Sequence, residues 1–150
     1  DRGWAQRQPF AGLEDFPFAR EWRVAADWLP LDPPQTMEVP NVTGELKRVR
    51  VDWQAVFDYD GHEVTLLPMT VAEDHVFFIF RDGTSGRESY GAGRFLRARP
   101  AEEGRIVLDF NRAYNPPCAF TPFATCPLPP PENWLPFPIR AGEKKYKGHA

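Results

Sequence analysis

The chain has 150 residues, 42% hydrophobic and 14% aromatic, which is enough to hide roughly 70% of the unfolded surface in one core and excludes a disordered chain. No apolar run approaches the roughly 18 residues of a spanning helix, and no charged and apolar leader opens the sequence. The net charge of −3 excludes the basic stripe that tracks nucleic-acid phosphates, so any partner is expected to be a small molecule.

One domain over residues 1–150 is expected, in three parts: an irregular N-terminal arm over 1–19, an antiparallel β core over 20–110, and a Pro-rich wrap and tail over 111–150. The arm mixes Gly, Pro, Arg and aromatics without a period, and Phe10, Leu13, Phe16 and Phe18 are its candidate anchors. Trp22, Val24, Ala26 and Trp28 then alternate with charged residues, the period of two of a half-buried strand. Pro30, Pro33 and Pro34 are expected to end that strand, because proline supplies no ladder donor.

Val49, Val51, Trp53, Ala55 and Phe57 alternate in a second strand. Asp60-Gly61 predicts a type I′ hairpin into Val64 to Leu67, since both central residues of that turn need positive φ. Val76 to Phe80 is apolar on both faces and reads as a central strand. Asp82 to Gly86 predicts another hairpin, with a return strand over Tyr90 to Ala98 that places Arg94 on the face of Tyr90. Arg105 to Phe110 closes the set, with Ile106, Leu108 and Phe110 on one face and Val107 and Asp109 on the other. About six strands joined by hairpins predict an all-β fold, an antiparallel sandwich or a partly closed barrel. A short helix fits within Asn111 to Tyr114.

Nine of the 17 prolines lie between Pro116 and Pro138, so this segment forms no regular ladder. Its Phe120, Phe123, Trp134, Leu135, Phe137 and Ile139 argue for a wrap packed over one mouth of the β layer.

The wrap also carries the polar residues. Asp109, Asn111, Tyr114, Asn115, Cys118 and Asn133 are expected to converge with Arg94 and Tyr90 on a small polar or anionic ligand. Two other readings use the same residues. In one, the site is a hydrolase-like enzyme with Cys118 or Asp109 as nucleophile or base. In the other, the polar side chains satisfy the backbone of the wrap and only lock it in place. Cys118 and Cys126 form a bridge in an oxidising compartment and stay two thiols in the cytosol. Zinc would want about four ligands, whereas His62, His75 and His149 lie far off in sequence, so no metal is expected. Gly91-Ala92-Gly93 runs into Arg94 and Phe95 without a third glycine or a helix, so it is no dinucleotide loop and no cofactor is expected.

Several stretches together are specific enough to carry a likeness. Phe80-Arg81-Asp82-Gly83-Thr84-Ser85-Gly86 is followed by Tyr90-Gly91-Ala92-Gly93-Arg94-Phe95. After these come Asp109-Phe110-Asn111-Arg112-Ala113-Tyr114-Asn115-Pro116-Pro117-Cys118-Ala119-Phe120 and Cys126-Pro127-Leu128-Pro129-Pro130 with Asn133. They resemble a prokaryotic domain-of-unknown-function family, the 1684 family, densely from about Phe78 to Lys145 and loosely before it. The resemblance implies no activity, cofactor or catalytic residue, but it does imply a further N-terminal segment. Ser89 and Trp134 depart from its pattern. Asp1 stands first where Met would open a complete chain, which leaves secretion after loss of a leader open, while the acidic balance and two cysteines favour the cytoplasm.

Overall fold

The structure, a computed structural model, describes residues 13–121 and 125–146. Phe10, Phe123 and His149 lie outside the described residues. The fold is all-β: a curled antiparallel half-barrel sheet and a second small sheet, with short 3-10 turns between and after them. Among the described residues there are seven strands, β1 (Arg23–Pro40), β2 (Leu46–Tyr59), β3 (His62–Leu66), β4 (Thr70–Val71), β5 (Val76–Phe80), β6 (Arg94–Ala98) and β7 (Arg105–Asp109). The larger sheet runs β3-β2-β1-β7 and the smaller runs β4-β5-β6. The expectation of about six strands missed β4, whose two residues are too few to show a period.

Alternation places most of the core as expected, but Trp53, expected on the face of Ala55 and Phe57, is 37% exposed where the register with β1 shifts. Trp22, Ala26 and Trp28 are buried from β1 and the turn before it, Ala55 and Phe57 from β2, and Ile106 and Leu108 from β7. β5 sits in the middle of its sheet, with Phe78 and Phe80 fully buried. Phe110 is the aromatic centre, edge-on to Trp22 at 5.6 Å and to Phe80 at 5.3 Å, geometries that aromatic quadrupoles favour. The Asp60-Gly61 turn joins β2 to β3 with φ of 50° and 78°, the positive pair that type I′ demands.

Three expectations are corrected. Pro30, Pro33 and Pro34 do not end β1: Pro30 still pairs with Trp53, the register shifts between Pro30 and Gln35, and pairing resumes at Val51. The prolines are gathered where the ladder is irregular, which is where a missing donor costs least. The return strand begins at Arg94 and not at Tyr90, because Gly93 N–H donates back to the Tyr90 carbonyl at 3.1 Å and turns the chain. A Cβ on Gly93, at φ +102°, would lie 2.5 Å from the Phe80 carbonyl oxygen and 3.0 Å from the Pro129 ring, so only glycine admits the wrap here. The expected helix at Asn111 to Tyr114 is a single 3-10 turn, Phe110–Arg112, started by the Asp109 side chain accepting from Asn111 N–H.

The C-terminal third is a strap fastened at intervals. Tyr114 pairs with Phe95 on β6, Pro127 with Asn41, Trp134 with Arg81, and Glu143 with Asp15 of the arm. Leu135, Ile139 and Ala141 are buried under it. At the arm's end Phe16 is buried, whereas Phe18 is 71% exposed and anchors nothing.

Candidate functional site

Two polar assemblies stand out, one buried under the strap and one open to solvent. The buried assembly centres on Arg94, which is 0% exposed. Its alternating position on β6 aims it under the strap, where Nη1 donates to the carbonyls of Ala141 and Glu143 and Nη2 to that of Ile139. Nη2 also meets Asp82 Oδ1 at 3.3 Å. Burial pulls the Arg94 guanidinium below its ordinary range, and Asp82 pulls it back up. The other Asp82 oxygen accepts from Ile139 N–H at 2.6 Å and from the Thr84 hydroxyl at 2.9 Å. Phe16 and Phe80 lay their rings 5.9 Å and 5.3 Å from the guanidinium carbon.

Asn115 joins this assembly through Glu143, whose Oε1 accepts from Asn115 N–H at 2.8 Å, while Asn115 Nδ2 donates to the Lys144 carbonyl. Asn133, also 0% exposed, binds both sheets. It accepts from Leu67 N–H at 2.9 Å and donates to the carbonyls of Leu67 at 2.8 Å and Ile79 at 3.0 Å. The remaining expected residues are dispersed. Asn111 pairs with both backbone groups of Ala19, and Tyr90 donates to the Cys118 carbonyl at 3.3 Å. Tyr114 sets its ring edge-on to Phe95 at 5.7 Å. Thus Arg94 and Asn115 meet around Glu143, whereas Asp109 and Asn111 gather near Ala19.

Cys118 and Cys126 are buried beside Ile79 and Phe95 and are not joined in a disulfide. Burial, joined by the hydrogen bond and charge of Cys126, pushes the Cys118 thiol up to about 11. A thiol at that value stays protonated at neutral pH and is no activated nucleophile. Its ordinary value is 9.0, so the stability linked to the proton is complete below about pH 9 and is lost as pH rises to about 11. Stability measured from pH 8 to 11 is therefore expected to fall less steeply in Cys118→Ala than in the wild type. Parallel slopes would contradict the shift.

The open assembly is a groove of about 650 Å³ bordered by β6, β7 and the start of β1. Five arginines line it: Arg23, Arg97, Arg99, Arg105 and Arg112. Strand alternation explains the clustering, since Arg97 points opposite to the buried Leu96 and Ala98, and Arg105 and Val107 opposite to Ile106 and Leu108. Asp109, the one expected ligand residue on this groove, stands there with Asp74 and Glu102. The carboxylates are partly engaged: Asp74 accepts from His75 Nδ1 at 2.8 Å, and Asp109 accepts twice from Asn111. That His75 hydrogen bond, with the charge of Arg97 adding to it, holds the Asp74 carboxyl below its usual range. Arg105 leans on Asp27 at 3.4 Å. Among the described residues, Arg23, Arg97, Arg99 and Arg112 have no hydrogen-bonded or ion-paired partner for their side chains. Planar guanidinium groups with unused donors match the oxygens of a phosphate or carboxylate.

The groove was not anticipated, because its arginines are scattered over ninety residues and only the pairing of β1 with β7 and the approach of β6 bring them together. Outward arginine on alternate positions of consecutive strands was the available signal. Among the described residues, no group of three or more His, Cys, Asp or Glu could hold a metal ion.

Comparison with known proteins finds a family model, described as "Protein of unknown function (DUF1684)", matching residues 8–144. A solved relative is the uncharacterised protein from gene locus rrnAC0354 of Haloarcula marismortui, a solution NMR structure. It is 31% identical, with a TM-score of 0.72 over 98% of this chain and 83% of that one. No curated protein matches.

Proposed function

This chain belongs to the DUF1684 family of proteins of unknown function, and we propose from that premise that it is a binding domain for a small anion, taken up by the arginine groove. The observation that supports this reading is the gathering of four unpartnered arginines on one groove of a chain whose net charge is −3. On an acidic surface, like-charged guanidinium groups left side by side repel, and an anion that takes bidentate hydrogen bonds from them relieves that repulsion. Asp109, Asp74 and Glu102 at the groove limit the charge it accepts and orient the ligand. Arg94, Asn115 and Asn133 serve the fold in this reading, by fastening the strap.

Pyrophosphate is the test ligand. Calorimetric titration at low ionic strength is expected to give one site per chain whose affinity weakens with salt. The double substitution Arg97→Ala with Arg112→Ala is expected to weaken binding on the order of a hundredfold, about tenfold for each charge-assisted hydrogen bond lost. Equal affinity in wild type and variant would overturn the reading.

A further inference from the structure

A second hollow of about 400 Å³ adjoins the arginine groove, and Pro100 lines both. Its walls are apolar, with Trp28 and Trp53 as its aromatic side. The two indoles are stacked, with centroids 5.7 Å apart and planes 3° from parallel, Trp28 buried and Trp53 37% exposed. Val71 of β4 and Ala72 just past it also line the hollow, and Val71 is 51% exposed. An open slot lined by an indole and aliphatic side chains is the form that stacks a flat ring.

The two hollows are joined by the turn between β6 and β7. On its descending limb Arg99 lines the groove and Ala101 the slot, with Pro100 shared. On its ascending limb Gly104 lines the slot and Arg105 the groove. Apolar and cationic surface thus meet across the single residue Pro100 on one limb and between adjacent residues, about 3.8 Å apart at Cα, on the other. The turn is held in place: Glu102 and Arg105 pair across it, and the Gly104 carbonyl accepts from Trp28 N–H at 2.8 Å.

We propose that the slot and the groove form one site for a mononucleotide, with the base stacked at Trp53 and the phosphates on the unpartnered Arg99 and Arg97. The inference rests on the anion-binding reading and names its ligand class. A ring and a charged group linked by one sugar span the short step across Pro100. A bare anion leaves the slot empty, and an uncharged nucleoside leaves the arginines unpaired.

ADP, adenosine and pyrophosphate are titrated separately into the full chain, with calorimetry and tryptophan fluorescence as readouts. ADP is expected to bind about tenfold more tightly than pyrophosphate and to quench tryptophan emission, which pyrophosphate leaves unchanged. Trp53→Ala is expected to abolish the tenfold preference while pyrophosphate affinity stays as in the wild type, which also reports that the variant is folded. Val71→Glu, at an exposed position lining the slot, is expected to do the same by placing a charge in the slot. ADP and pyrophosphate binding equally, or the preference surviving both substitutions, would overturn the mononucleotide assignment and leave the anion site standing. Failure of pyrophosphate and ADP alike to bind would overturn both.

Discussion

Arg94→Met is expected to lower the unfolding free energy by about 3–5 kcal/mol, the range for removing one partner of a buried ion pair. The substitution keeps the length and apolar stem of the side chain but strips donors from the carbonyls of Ile139, Ala141 and Glu143. It also leaves the Asp82 carboxylate buried without its counter-charge. The second loss dominates, because an uncompensated buried charge costs more than a neutral group left unpaired. Arg94→Met combined with Asp82→Asn is therefore expected to recover part of the loss, since no charge is then stranded. Urea unfolding of the three variants measures it. A loss under about 1 kcal/mol for Arg94→Met, the scale of an ordinary surface change, would mean that the strap is held by its apolar contacts alone.

Asn133→Ala is expected to cost on the order of 3 kcal/mol. One amide side chain satisfies Leu67 N–H, the Leu67 carbonyl and the Ile79 carbonyl at once, so truncation orphans three backbone groups where the strap crosses from one sheet to the other. Water reaches none of them while the site stays closed. Asn133→Asp separates hydrogen bonding from size. It keeps the acceptor for Leu67 N–H but turns a carboxylate oxygen toward two carbonyls, so it is expected to be at least as destabilising as alanine. Near-wild-type stability of the aspartate variant by the same unfolding measurement would contradict this geometry.

Much of the fold was legible because period two is a strong signal wherever one face of a strand is buried. Trp22 to Trp28 and Ile106 to Phe110 are examples, Val76 to Phe80 showed itself as a short run apolar on both faces, and Asp60-Gly61 named its own turn. The misreadings came from proline and glycine, whose local preferences tertiary packing redirected. Pro30 to Pro34 fall on an irregular stretch of a strand that continues to Pro40, and Gly93 turns a segment that alternation alone extends to Tyr90. That the strap folds back onto the β layer was readable from its apolar residues. Its chief partner, Asp82, was not, because an Asp before Gly looks like an ordinary turn residue. Only the depth at which its carboxylate is buried gives it four hydrogen-bonding neighbours, Thr84, Ser85, Arg94 and Ile139. The arginine groove was least legible, since Arg23, Arg97 and Arg112 become neighbours through sheet topology and leave no mark in local sequence.

Some arginines serve a ligand and one serves the fold, and NMR can read both in one titration. With pyrophosphate added to isotope-labelled protein, the side-chain Nε–H signals of Arg97, Arg99 and Arg112 are predicted to shift in a saturable way, while that of buried Arg94 stays in place. Saturable shifts centred on Arg94 and Asn115, with the groove arginines unmoved, would contradict that division.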